Sequence, residues 1–380
     1  MAKYSDILYS LETENRLRSI PRHRKGAPLV DLTSNDYMGL ARRADEWADE
    51  FRQRFPNVGM TSSASRLLAS DQEIYNRLED YLEELYRKPA LLFNSGYHAN
   101  VGIISALNIP GTLFITDKLI HASAIDGVRL GKAEFRRFAH NDISHLEKII
   151  EKEHRNHERL IVICESVYSM DGDVAPLAEM AALKKLYPNV MLYVDEAHAV
   201  GAIGSKGAGV ASQLGLVNDI DIIVGTFGKA CASQGAFAVT SQELKSYLIN
   251  TARSFIFSTA LPPANVAWTL FMLEKLALMD KEREHLKQIS EMFRSGLEDI
   301  TGNPINSASA IIPLLTGDAR RAMALSASLE ESGILALPIR RPTVPPGGER
   351  IRFSLTAALS EEIINNVLEN IKYHLKNIEI

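Results

Sequence analysis

The chain has 380 residues, of which 46% are hydrophobic and 23% charged, values of an ordinary soluble globular protein with a sizeable core. The formal net charge of −5, from 42 basic and 47 acidic residues, speaks against a nucleic-acid partner or a polybasic membrane contact. Two cysteines, Cys164 and Cys231, with no CxxC pair, suggest neither a disulfide framework nor a structural zinc site, and the length predicts two domains or one large α/β unit with an appendage.

Residues 1–25 read as an amphipathic helix with Ile7, Leu8, Leu11 and Leu17 as its apolar positions, ended by Pro21. This N-terminal stretch is polar and lacks an apolar h-region, so no secretory signal is expected and the expected location is the cytosol. The basic run from Arg16 to Lys25 reads as a solvated face, with Arg18 as a candidate anion ligand. Val30 and Leu32 then alternate with polar neighbours, and Asn35-Asp36 opens a turn reaching Gly39. Ser70-Asp71-Gln72-Glu73 has the form of a capping box, followed by Ile74, Leu78, Tyr81, Leu82 and Leu85 on one helical face.

ALLF at 90–93 reads as a strand running into Asn94-Ser95-Gly96-Tyr97 and a helix from about His98. A strand, a glycine turn and a helix N-terminus make an anion site, because backbone N–H groups and the helix dipole favour negative charge there; many α/β turns share this form. TLFI at 112–115 is the next strand, closing at Asp117, with His121 in the loop beyond. That histidine either lies flat on an aromatic cofactor or is a plain loop residue. The charged helix at 144–158 carries His154 and His157 at metal-like spacing without a supporting ligand set, so no metal is expected. LIVIC at 160–164 is a strand, a helix over 177–186 follows, and VMLYV at 190–194 is a further buried strand. The alternation predicts an α/β fold with a mostly parallel sheet.

The stretch from 190 to 230 carries the chemistry. Its first strand stops at Asp195, with His198 three residues on, and IIV at 222–224 closes in Gly225-Thr226-Phe227-Gly228-Lys229. Ligands of open α/β sheets sit at this carboxyl edge. A pyridoxal phosphate enzyme needs an amine for the aldehyde, a carboxylate against the ring nitrogen and a donor near the phenolic oxygen. Lys229, Asp195 and His198 supply these in turn. Each residue taken alone has a plainer reading, as a surface lysine, a loop cap and a satisfied core imidazole.

Residues 235–240 read as one more strand, RSFIFSTALPP as a loop, and 265–297 as one long amphipathic helix. The uncharged run over 254–273 holds Pro262-Pro263 and reads as a loop entering a helix, not as a membrane span. Residues 305–356 suggest a small α+β domain. Arg350 and Arg352 alternate with Ile351 and Phe353, which marks either a carboxylate clamp or an exposed sheet edge. A final helix spans about 361–375.

The stretches SNDYMGL, ASRLL, FNSGYHAN, DKLIHAS, ESVYSMDGD, APL, VDEAH, GTFGKA, FIFSTALPPA and PTVPPGGERIRFSLTA run in this order over about residues 31–358. Together they resemble the α-oxoamine synthases, pyridoxal phosphate enzymes of the aspartate-aminotransferase fold (fold type I). The resemblance implies a large cofactor-binding domain at 45–265, with 1–44 and 266–380 as an N-terminal segment plus a small C-terminal domain. It implies a homodimer with active sites at the subunit interface. By the same resemblance Lys229 is the Schiff-base lysine, Asp195 the partner of the pyridinium nitrogen, and His198 and Ser169 lie near the phenolic oxygen. His121 stacks on the ring, Gly96 and Tyr97 form the phosphate turn, and Thr226 adds a hydroxyl. Ser258 and Thr259 reach the partner subunit's phosphate, Arg352 grips the amino-acid carboxylate with Asn35 nearby, and Arg18 lies near the acyl substrate.

The activity so implied is decarboxylative condensation of an amino acid with an acyl-CoA or acyl-carrier-protein thioester. FIFSTALPPA and the PTVPPG…RIRFSLTA ending point to L-alanine and a pimeloyl thioester. GMTSSASR and CASQG are less glycine-rich than the family's usual turns, and ESVYSMDGD is shared with relatives of other specificity. Members using glycine or serine with other acyl groups, or a catalytically silent partner subunit, are the alternatives.

Overall fold

The computed structural model describes residues 3–18, 20, 30–69 and 72–377. The chain divides into two compact units. One comprises Met1–Asn35, Met170–Asp173 and His285–Ile380; the other comprises Asp36–Ser169 and Val174–Glu284. The first, smaller unit begins with a helix at Tyr4–Thr13 that buries none of its residues; Ile7 and Leu8 are exposed, so the expected apolar face is not packed. The capping box expected at Ser70 and Asp71, and Pro21 with residues 22–25 of the basic run, lie outside the described residues. The smaller unit also holds β1 (Val30–Asp31).

The larger unit is a seven-stranded sheet flanked by helices. Its strands are β2 (Ala90–Phe93), β3 (Thr112–Asp117), β4 (Glu134–Phe138), β5 (Arg159–Glu165), β6 (Val190–Asp195), β7 (Ile222–Thr226) and β8 (Ala236–Val239). They lie in the order β2-β8-β7-β6-β5-β3-β4. The ladders from β4 through β3, β5 and β6 to β7 are parallel, and β8 is antiparallel to both β7 and β2. Near-continuous apolar runs are what strands covered on both faces require, and β3 and β7 are buried at every residue.

Helices at Gly96–Ala106 and Ala122–Leu130 cover one face of the sheet. Ile103, Ile104 and Val128 from these helices join Phe114, Ile161, Ile163, Tyr193 and Val224 in one core. The two helices approach so closely that a Cβ on Gly127 would sit 2.9 Å from Ile104 Cβ.

Two expectations for this unit are corrected. The single helix expected over 265–297 is two, Pro263–Leu276 and Asp280–Thr301. No proline or glycine marks the break. The Arg283 guanidinium makes it stable by donating from Nη1 to the Leu276 carbonyl at 2.8 Å, at the end of the first helix. Within RSFIFSTALPP, Arg253–Ile256 forms a helical turn instead of open loop. Phe255 is buried from that turn, and Ser254 Oγ donates to the His98 carbonyl at 2.6 Å.

The smaller unit continues with β9 (Ile311–Leu315), β10 (Ile334–Leu335), β11 (Pro338–Ile339) and β12 (Arg350–Ser354). Strands β11, β12 and β9 form an antiparallel sheet, and β1 pairs with β10 in parallel. β12 is the central strand of its sheet, so the exposed-edge reading of Arg350 and Arg352 does not hold; both are buried.

Gly201 links the fold to the lysine loop. Its φ is +86°, and an added Cβ would lie 2.7 Å from Ala230 Cβ, the residue after Lys229. Gly201→Ala therefore meets both a left-handed backbone and a clash. The expected cost is about 2 kcal/mol of unfolding free energy. Thermal denaturation of the variant beside Gly215→Ala, whose glycine has open space around it, checks this.

Candidate active site

The sheet delivers its functional groups at the carboxyl ends of β5, β6 and β7. Asp195 is the last residue of β6, and the backbone turns at once, with Ala197 N donating to Asp195 Oδ1 at 2.9 Å. The other oxygen, Oδ2, accepts from Asn100 Nδ2 at 2.7 Å. Asn100 is itself fixed, since Tyr193 O–H donates to its Oδ1 at 2.6 Å and its Nδ2 also faces Ser123 Oγ at 2.8 Å. All four side chains are buried.

Lys229 follows β7 and is half-buried. Its Nζ lies 2.8 Å from His198 Nε2, and His198 Nδ1 lies 2.6 Å from Tyr37 O–H. With Lys229 donating, the ring proton sits on Nδ1 and points to the tyrosine oxygen. The loop bearing His198 is braced from beneath by Glu196, which accepts from Ser166 Oγ, Val210 N and Ala211 N at 2.5, 3.1 and 2.7 Å.

His121 caps the Ala122–Leu130 helix, its Nδ1 being 2.7 Å from Ser123 Oγ. Much of the residue meets solvent. Its pKa is lowered, chiefly by partial burial; Asp195 opposes the shift and Lys229 adds to it. The loop before it is anchored by Asp117, which accepts from Leu119 N, from Asn141 N and from His140 Nδ1.

The Gly96–Ala106 helix opens at the same edge. Ser95 is its N-cap, accepting from His98 N at 3.2 Å. A Cβ on Gly96 would stand 3.8 Å from Thr226 Cβ, so the buried Thr226 hydroxyl adjoins the helix N-terminus. Tyr97 is half in solvent and its O–H donates to Asp126 Oδ2 at 2.7 Å. Asn94 Nδ2 donates to the Thr259 carbonyl at 2.6 Å, which brings the 258–259 segment beside this turn; Ser258 is half-buried and Thr259 exposed.

Ser169 is half-buried at the end of the loop leaving β5. Glu165 is the last residue of β5. Glu165 is buried and pairs in register with Asp195. Burial first, then the Asp195 charge, push its pKa up to about 8 against the opposing pull of Lys229.

Within the smaller unit, Arg352 Nη2 donates to Asn35 Oδ1 at 3.1 Å. Arg350, on the same side of β12, is engaged elsewhere, by Asp171 and by the Met170 and Gly348 carbonyls. The expected pair of clamp arginines is thus one structural arginine and one candidate ligand. Arg18 is exposed and donates to Thr343 Oγ1 at 2.7 Å.

The sequence reading missed Tyr37, Asn100, Tyr193, Ser123 and Glu165. Asn100 left a signal, since it is a lone amide on the covered face of an apolar helix, one turn past the glycine.

The donor set gathered in the larger unit suits a phosphorylated aromatic aldehyde. It has an amine beside an imidazole, a carboxylate with two N–H donors, a second imidazole and a helix N-terminus with an adjacent hydroxyl. The His121 carbon–proton resonance, followed by NMR against pH, should titrate with a midpoint below the ordinary 6.5. Lys229→Ala should raise that midpoint and Asp195→Asn should lower it further, because each removes the neighbour acting in the opposite sense.

Compared with known families, residues 27–371 match the family described as Aminotransferase class I and II. The 8-amino-7-oxononanoate synthase of Haemophilus ducreyi is 46% identical over 357 residues, covering 92% of each chain. A putative 8-amino-7-oxononanoate synthase of Pasteurella multocida is 47% identical over 366 residues, covering 93% of this chain and 94% of that one. Among solved structures, Sphingomonas wittichii serine palmitoyltransferase superposes with a TM-score of 0.85 at 34% identity, over 92% of this chain and 88% of that one. The 8-amino-7-oxononanoate synthase of Francisella tularensis gives a TM-score of 0.79 at 28% identity, over 93% and 99%.

Proposed function

We propose that this chain, which belongs to the class I and II aminotransferase family and to its α-oxoamine synthase branch, makes 8-amino-7-oxononanoate, an intermediate of biotin biosynthesis. As a fold type I α-oxoamine synthase it is a pyridoxal phosphate-dependent acyltransferase. The substrates proposed are L-alanine and a pimeloyl thioester, on CoA or a carrier protein. The α-carbon of alanine bonds to the thioester carbonyl, the carbon–sulfur bond breaks to free the thiol carrier, and the alanine carboxyl leaves as carbon dioxide. The observation that carries this reading is the Tyr37–His198–Lys229 chain standing at the same sheet edge as the Asn100–Asp195 pair. Identity above 45% to synthases named for this product supports the substrate choice.

In the proposed site Lys229 holds the cofactor aldehyde, Asp195 faces the ring nitrogen, and His198 with Ser169 borders the phenolic oxygen. Gly96, Tyr97 and Thr226 take the phosphate, joined in a homodimer by Ser258 and Thr259 of the second copy. Exposed Met60, Leu67, Leu68 and Phe257 supply apolar surface for that contact. When bound, the cofactor supplies an electron-poor ring beside the substrate α-carbon. His198 receives a proton from Lys229 or returns one, so the amine can meet the substrate uncharged. Lys229 is placed to remove the substrate α-proton and to give one back after carbon dioxide has gone. His121 covers the ring and is placed to donate to the oxyanion that develops on the thioester carbonyl. Asp195 stays fixed by Asn100 and Ala197 while charge moves above it. Arg352, steadied by Asn35, grips the amino-acid carboxylate, and Arg18 serves the acyl chain. No helix among the described residues is long and apolar enough to cross a membrane, and the proposed place of work is the cytosol, where such thioesters are met.

Turnover with L-alanine and pimeloyl-CoA, set against acetyl-, succinyl- and palmitoyl-CoA and against glycine and serine, tests the reading. Preference for alanine with the pimeloyl thioester is expected. Preference for another pair would reassign the chain to glycine C-acetyltransferase, serine palmitoyltransferase or 5-aminolevulinate synthase activity, and no turnover with any pair would make it a silent subunit. Lys229→Ala should remove the bound-cofactor absorbance and lower turnover by about a thousandfold or more. Asn100→Ala strips Asp195 of a buried donor worth about 1.5–3 kcal/mol, so cofactor affinity should fall roughly 10- to 100-fold in a spectrophotometric titration.

A further inference from the structure

Tyr37 touches the histidine beside the lysine, yet the mechanism above gives it no task. It is 1% exposed, and its hydroxyl lies 2.6 Å from His198 Nδ1. The other ring nitrogen, Nε2, is the one 2.8 Å from Lys229 Nζ. The tyrosine and imidazole rings are 6.1 Å apart between centroids and tilted by 57°, so they meet through the hydroxyl and not by stacking. Both ends of this contact are held. Asp36 accepts from Leu40 N and Ala41 N at 2.9 Å each, and its carbonyl accepts from Gly39 N at 2.9 Å, which closes the turn that carries the tyrosine. Glu196 braces the loop that carries the histidine.

A neutral imidazole has one N–H and one bare nitrogen, and the partner of either nitrogen decides where the proton sits. Opposite an ammonium, which offers donors and no acceptor, Nε2 is bare, Nδ1 holds the proton and the Tyr37 oxygen accepts it. Opposite an oxyanion, which only accepts, Nε2 carries the proton and bare Nδ1 needs a donor. A hydroxyl meets both demands, because it donates and accepts. A carbonyl or carboxylate in its place would suit the first form alone, and an N–H group the second alone.

We propose that Tyr37 is a positioning residue that holds the His198 ring in both tautomers: it accepts from Nδ1–H while the Lys229 amine faces Nε2, and it donates to Nδ1 once the cofactor's phenolic oxygen borders the histidine. The second half rests on the reading of the preceding subsection; the first stands on the three side chains alone. The ring keeps one proton throughout. Passing between the forms takes a proton from Nδ1 and puts one on Nε2, both by exchange with water. The ring does not turn over, so the nitrogen presented to the lysine is Nε2 in either form.

NMR of the ring nitrogens in isotope-labelled histidine tests this, with the His198 signals identified by their loss in His198→Gln. In the wild-type apoprotein at neutral pH, Nδ1 should be the protonated nitrogen and Nε2 the bare one. Addition of pyridoxal phosphate should reverse the two. Tyr37→Phe removes the bond that favours the prevailing form, so its tautomer ratio should move about tenfold toward the other form in each state, the scale of one lost hydrogen bond. Cofactor affinity should fall by a similar factor. A protonated Nε2 in the wild-type apoprotein, or no reversal when the cofactor binds, would overturn the proposal. Tautomer ratios in Tyr37→Phe equal to those of wild type in both states would show that the hydroxyl positions nothing. If Tyr37→Phe does not fold, the two wild-type spectra still decide. If wild type takes up no pyridoxal phosphate, the functional reading fails and the second role with it, while the apoprotein spectra still decide the first.

Discussion

Three ionisable side chains, Glu165, Asp195 and Lys229, leave the same end of three neighbouring strands, where little water separates them. Desolvation at that edge is the constraint on which the site depends. In bulk water two acids and an amine would act almost independently; in this buried edge the charges of Asp195 and Lys229 act on Glu165 in opposite senses. The sheet makes the edge. Parallel strands in register bring the last residues of β5 and β6 level with one another, and β7 then hands the chain to the lysine loop. Around these three, Asn100 fixes Asp195, Tyr37 holds His198, and Glu196 braces the loop that carries the histidine.

Much of the fold was written in the local pattern. Short apolar runs without helical period marked β3, β5, β6 and β7, because strands covered on both faces carry no polar alternation. Lys229, Asp195 and His198 stood out as a set, an amine, a carboxylate and an imidazole at or just beyond the carboxyl ends of two buried strands. The break after Leu276 was invisible because its cause, Arg283, lies in the following helix and acts through the Leu276 carbonyl. Arg350 and Arg352 share a strand face and a residue type, and only their partners distinguish them, Asp171 for one and Asn35 for the other. Tyr37 and Asn100 were overlooked for the same reason. Their partners, His198 and Asp195, lie 161 and 95 residues away along the chain, beyond any local spacing rule.

The buried polar groups of the larger unit also show how its loops keep their shapes. Asp117 takes two backbone N–H groups and an imidazole, and Glu196 takes two backbone N–H groups and a hydroxyl. Each acid substitutes for a ladder or helix where the backbone has neither, so the loops are ordered by side-chain acceptors. Such acceptors are demanding, because a loop held by one buried carboxyl loses all its ties together when that carboxyl is removed.

The helix at Gly96–Ala106 touches the proposed ligand site twice. Its first residue adjoins Thr226 and its fifth, Asn100, fixes Asp195. Between them lies a little over one turn, a rise of about 6 Å. A single rigid rod therefore sets the separation between the proposed anion cradle and the residue that fixes the proposed ring partner, as the fixed jaws of a gauge do. A molecule with its phosphate and its basic nitrogen spaced otherwise could fill one jaw but not both, so size discrimination here needs no moving part.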